Sequence, residues 1–106
     1  MSTVYTKRFL GQQVSAGQTV YAAPPAGKVW IIRNIIANGG GSSSATEAAI
    51  FAPYPLTVAV ALQAANAQTN YNAETRIVVE DGERLGVSAF VGAWYVTITG
   101  YEFDAA

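Results

Sequence analysis

A chain of 106 residues with 51% hydrophobic and only 12% charged residues has room for one buried core, and about half the charge a soluble domain ordinarily carries. Its net charge of −1, with six basic residues scattered from Lys7 to Arg84, argues against the clustered cations that a phosphate backbone requires. The absence of Cys and His removes disulfides, thiolate chemistry and cysteine-ligated metals, and leaves no imidazole for acid–base work.

So little charge leaves two options for the exterior. It is covered with Ser, Thr, Asn, Gln and Gly, or part of it is covered by neighbouring proteins; the second is preferred. The N-terminal Met1–Arg8 lacks the apolar run of a signal peptide. No stretch reaches the ~18 apolar residues of a membrane span, because Pro53, Pro55 and polar residues interrupt the best candidate. The expectation is a protein made in a cytoplasm and kept there until something carries it out.

The dominant period along the chain is two. Thr3–Leu10 and Gln18–Ala22 read as strands about a turn at Ser15-Ala16-Gly17. Pro24-Pro25-Ala26-Gly27 makes a turn, and the β-branched run Lys28–Asn38 after it is a strand. Strict alternation puts Val29, Ile31, Arg33 and Ile35 on one face and Trp30, Ile32, Asn34 and Ile36 on the other. Apolar residues on both faces suit a central strand covered on both sides, or one whose outer face meets a partner.

The Gly/Ser stretch at 38–45 reads as a solvated, flexible connection, or as a loop that orders against a neighbour. Thr46–Ala52 is a short strand before Pro53-Tyr54-Pro55, and Leu56–Leu62 alternates again. Ala61–Ala67 suits a helical turn or two by composition, but strand is preferred because the alternation holds where the β-branched residues are. Thr75–Glu80 is a strand followed by the turn dipeptide Asp81-Gly82. Arg84–Val91 sets Leu85, Val87, Ala89 and Val91 on one side, and Gly92 then breaks the chain. In the last strand Trp94, Val96 and Ile98 face one way, and Tyr95, Thr97, Thr99, Tyr101 and Phe103 the other. These last strands read as an antiparallel meander with one face in the core.

Turn signals recurring every 8 to 15 residues or so predict an all-β fold: an antiparallel β-sandwich or jelly roll of about seven to eight strands. Residues 1–106 form one domain, and Met1–Leu10 either packs on its own sandwich or reaches over a neighbour as an arm.

Little chemistry is legible. Glu80-Asp81-Gly82-Glu83 is the best acidic cluster, but calcium wants six to eight oxygens, and an acidic hairpin tip kept soluble is the preferred reading. Gly39-Gly40-Gly41-Ser42 lacks the Gly-Lys-Ser/Thr ending of a phosphate loop. Glu47 and Glu74 are the only carboxylates that suggest a glycosidase pair, and their spacing does not support one. The chain is therefore expected not to be an enzyme, with no catalytic, metal or cofactor residues and no cofactor.

Aromatic residues offer more. Trp30, Tyr54, Tyr71, Trp94, Tyr95 and Tyr101 would suit sugar stacking, but such residues also dominate cores and interfaces. Tyr95, Thr97, Thr99 and Tyr101 form a ladder of rings and hydroxyls that suits a half-covered protein contact, an ordinary solvated ladder or a ligand platform, in that order. The candidate interface is Trp30, Ile32, Ile36, Tyr95, Thr97, Thr99, Tyr101 and Phe103.

Two segments carry a resemblance. Ser15–Asn38 contains Pro-Ala-Gly-Lys followed by a hydrophobic strand and Asn; Arg76–Ala89 contains Glu-Asp-Gly-Glu, and the chain closes on Trp94-Tyr-Val-Thr-Ile-Thr-Gly-Tyr-Glu-Phe103. This order resembles small β-sandwich proteins of tailed bacteriophages, found as capsid decoration, head or tail accessory proteins and modules of minor tail proteins. It covers about half the chain, at its two ends, and residues 39–72 match nothing in it. The resemblance implies a virion structural protein, a decoration (cement) protein binding the outside of the shell as an oligomer, with a trimer favoured. Its partners would be the phage major capsid protein or other virion proteins, with neither nucleic acid nor membrane. The alternatives are a tail, collar or connector accessory protein of the same fold, and a carbohydrate-binding module for host-surface glycans.

Overall fold

A computed structural model describes residues 6–39, 46–64 and 69–105. Most of the Gly/Ser stretch at 38–45, the start of the N-terminal arm and residues 65–68 of the Ala-rich run lie outside the described residues. The eight strands are β1 (Thr6–Val14), β2 (Thr19–Ala22), β3 (Lys28–Gly39), β4 (Thr46–Phe51), β5 (Val58–Ala64), β6 (Thr69–Val79), β7 (Leu85–Val91) and β8 (Trp94–Asp104). The Ala-rich segment continues as strand through Ala64.

Two four-stranded antiparallel sheets form, in the orders β1-β8-β3-β6 (sheet A) and β2-β7-β4-β5 (sheet B). The chain pairs β1 with β8, β2 with β7, β3 with β6 and β4 with β5, as one long hairpin wrapped into a barrel-like sandwich. That is the jelly-roll arrangement. Only β4 and β5 are consecutive partners within one sheet. The last three strands are therefore not a meander. β6 and β8 belong to sheet A and β7 to sheet B, so both flanking turns cross between layers, at Gly82 (φ 87°) and Gly92 (φ 74°).

The core lies between the sheets. Sheet A contributes Val14, Ile32, Ile35, Val79, Trp94, Val96 and Ile98, and sheet B contributes Ile50, Leu62, Leu85 and Val87, all at most 2% exposed. Trp94 lies flat over Gly39, the residue directly opposite it on β3. No side chain other than hydrogen leaves room there for the indole.

Bulges interrupt the alternation of sheet A along one line. Between the Ile32–Gly100 and Asn34–Thr99 pairs, Arg33 is an extra residue on β3; between Arg8–Thr99 and Leu10–Ile98, Phe9 is an extra residue on β1. A bulge shifts the side-chain parity of everything beyond it. Thus Trp30 and Ile32 point inward before the bulge, and Ile35 and Ala37 after it. The expected division of β3 into two strictly alternating faces does not hold. β7 behaves likewise: Phe90 is extra between Ala48–Ala89 and Glu47–Val91, so Leu85, Val87 and Ala89 stay buried while Val91 turns out, 45% exposed.

Candidate interaction surface

The outer face of sheet A collects most of the predicted interface. Register places Tyr95 beside Asn38, Thr97 beside Ile36, Thr99 beside Asn34, Tyr101 beside Ile31 and Phe103 beside Val29. Val78 extends the Tyr101–Ile31 row onto β6. Tyr95, Ile36 and Val78 are 49%, 41% and 45% exposed, whereas Thr97, Thr99, Tyr101 and Phe103 are half-buried among their neighbours. The Tyr101 and Phe103 rings meet edge to face at 6.3 Å.

Trp30 and Ile32 do not belong to this surface. They are 4% and 0% exposed, on the core side of the Arg33 bulge. Trp30 stacks on Phe9 at 4.1 Å, 11° from parallel, and donates from Nε1 to Glu102 Oε1 at 2.9 Å. Ile36 lies beyond the bulge and so reaches the outside.

The charges sort by position. Glu102 also accepts from Lys7 Nζ at 2.9 Å, and these two donors, Trp30 first and then Lys7, hold its carboxyl below the ordinary 4.5. Lys28 pairs with Asp104, whose hydrogen bond raises the lysine's pKa and lowers the aspartate's. Arg84 stacks over the Tyr21 ring at 4.1 Å. The remaining cations are Arg8, Arg33 and Arg76. Arg8 lies along Gly11, its Cδ 2.8 Å from where a Cβ would stand, on the row that runs through Thr97 and Ile36. Arg76 alternates with the inward Ile77, and Arg33 and Asn34 together bridge the inward Ile32 and Ile35. All three arginines therefore lie on the outer side of sheet A.

A second feature was not legible in the sequence. At the end of the sandwich where β2–β3, β4–β5 and β6–β7 connect, an open groove of about 530 Å³ is lined by Pro24, Pro53, Tyr54, Leu56, Asp81, Glu83 and Arg84, among others. Tyr54 lies across Gly86 on sheet B, edge-on to Tyr21 at 4.9 Å and to Phe51 at 5.2 Å. Its phenol is pushed up by the neighbouring Tyr21 hydroxyl and, less, by partial desolvation, against the pull of Arg84. The Pro-Tyr-Pro turn marks one wall in the sequence, but nothing local links it to Arg84 or Tyr21.

The acidic turn closes on itself. Glu83 N donates to Glu80 O at 2.9 Å, and Glu80 N donates to Glu83 Oε1 at 2.9 Å. It is a crossing between sheets, not the expected hairpin tip. Glu47 and Glu74 stand on strands of different sheets, Glu74 on the outer side of sheet A. Among the described residues no three acidic groups gather as a metal site, and no helix is long and apolar enough to cross a membrane.

The same fold recurs in a virus particle. A chain of the T13 IBDV viral particle superposes with a TM-score of 0.50 at 12% identity, over 96% of this chain and 31% of that one. This chain thus spans about a third of that viral chain. A chain of infectious bursal disease virus Gx strain matches with a TM-score of 0.44 at 16% identity, over 94% of this chain and 31% of that one. The Drosophila NLP core, a structure concerned with pentamer formation and histone binding, matches with a TM-score of 0.49 at 16% identity over 92% and 100% of the two chains. No family model matches, and no curated protein does.

Proposed function

We propose that this chain is a non-enzymatic virion structural protein that binds its partners through the outer face of sheet A. The observation that carries this reading is the three exposed side chains Tyr95, Ile36 and Val78, spread along the solvent-facing side of sheet A in a jelly roll with few charges. A face of this kind suits burial against protein, because amphipathic rings and aliphatic side chains gain from being covered and strand hydroxyls tolerate it. The likeness to a chain of a virus particle supports a virion setting, and the tailed-phage resemblance of the two terminal segments supports a capsid decoration role, as an oligomer with a trimer favoured. Each subunit would bury apolar surface across joints between capsid subunits, so that separating the joints re-exposes it at about 25 cal/mol per Å², less the cost of association.

Purified chain mixed with empty capsids tests this. Tyr95→Ala with Tyr101→Ala should abolish co-sedimentation while leaving the chain folded by circular dichroism, at a cost of about 1–2 kcal/mol as Tyr101 loses its contact with Phe103. Unchanged particle binding by the double variant would overturn the assignment of the face. Copy number separates a decoration protein, present in hundreds of copies, from a tail, collar or connector protein present in a dozen or fewer. The groove beside Tyr54 and Arg84 favours a second reading, a glycan-binding module. Binding on a glycan array that is lost on Tyr54→Ala, without capsid association, would favour it.

A further inference from the structure

We infer that, before a virion partner engages it, the outer face of sheet A is covered by the acidic β6–β7 turn of a second copy of this chain, in a head-to-tail contact. This rests on reading that face as an interaction surface. Lys7 and Lys28 are neutralised by Glu102 and Asp104, and Arg84 lies over Tyr21. The other cations, Arg8, Arg33 and Arg76, all fall on the outer side of sheet A, where Glu74 is the one acidic residue on a described strand. Arg33 sits opposite the Thr75–Arg76 step of β6, so two of the three guanidinium groups are neighbours. None of the three makes an ion pair among the described residues.

The complementary charge is on the same chain. Glu80, Asp81 and Glu83 make the β6–β7 turn, and their carboxylates also lack an ion pair among the described residues. A net charge of −1 thus conceals a basic face and an acidic end. Apolar groups match as well. Leu56, 83% exposed, stands with Pro53 in the groove that Asp81 and Glu83 also line, and it would meet Ile36, Tyr95 or Val78.

An end meeting a face is not self-complementary, so the contact is heterologous and must close as a ring or continue as a chain of subunits. Strand spacing and rise give the face an area on the order of 600 Å², somewhat below the roughly 800 Å² per partner of a standard interface. Assembly should therefore depend on concentration and weaken with salt.

Sedimentation of the full chain over a wide concentration range, at low and high salt, tests this. Arg33→Glu with Arg76→Glu should weaken self-association about tenfold or more, as should Glu80→Lys with Asp81→Lys. Mixing the two variants should restore assembly, since the acidic face of one then meets the basic turn of the other. A parent chain that stays monomeric, assembly indifferent to salt or to both reversals, or a mixture that fails to assemble would each overturn the proposal. Circular dichroism of each variant separates lost contact from lost fold. A monomer that still binds capsids through Tyr95 and Tyr101 would sink this inference alone. Self-association without particle binding would sink the virion reading and leave this one standing.

Discussion

The two tryptophans show how differently one residue type is used. Trp94 is 1% exposed and rests on Gly39, where an added Cβ would stand 2.2 Å from Trp94 Cδ2. Gly39→Ala must push the indole out of a packed core, and it should cost about 3 kcal/mol, read as a lower urea midpoint at unchanged slope. Trp30 is equally inaccessible but anchors the end of β8 through Glu102. Because the Glu102 carboxyl is held below its ordinary value, its contribution is complete above the unfolded pKa. It is lost as pH falls through the folded one. Trp30→Phe removes the leading cause of that depression and leaves Lys7 alone, so the variant should lose less stability than the parent as pH falls from neutral to about 3. Urea midpoints between neutral pH and pH 3 would show it.

At the scale of the element, bulges decide which residues a partner can touch. β3 was readable as a strand from Lys28 to Asn38, and it is one, extended to Gly39. Its two faces were not readable, because Arg33 sits in a run where either parity buries isoleucines. The test is deletion. Removing Arg33 leaves Ile32 and Asn34 opposite Gly100 and Thr99, consecutive residues of β8, keeps Ile35 and Ala37 inward, and leaves Thr75 and Arg76 of the edge strand β6 to bulge between Ile77 and Glu74. Removing Ile36 turns Ala37 and Gly39 away from the core. The first variant should remain folded by circular dichroism and the second should not. The same logic explains why Val91, grouped by alternation with Leu85 and Val87, is outside: the extra Phe90 intervenes. Trp94–Phe103 carries no bulge of its own on β8, and there the expected inward and outward sets are the observed ones.

At the scale of the whole molecule, the pairing is almost entirely between distant segments. β8 lies between β1 and β3, so the two ends of the chain meet in sheet A. Truncation after Gly100 would remove the Glu102 and Asp104 ion pairs and the register of Tyr101–Asp104 with β3. The expected outcome is loss of dispersed amide resonances in the NMR spectrum, despite the intact remainder of both sheets. Topologies of such high contact order also fold slowly, since loop closure precedes the contacts that reward it.

By itself the sequence determined the all-β class, the approximate position of the described strands apart from the first half of β6 (Thr69–Glu74), and the inward set Trp94, Val96 and Ile98. Each of these rests on alternation and turn residues, which are local and act within a few positions. Only the tertiary structure decided that consecutive strands other than β4 and β5 lie in different sheets, that Trp30 and Ile32 are core while Ile36 is surface, and that Arg8, Arg33 and Arg76 share one face. Those outcomes depend on which strands pair and where an extra residue falls. Pairing energy is set by partners as far apart as Thr6 and Tyr101, and a local pattern carries no record of it.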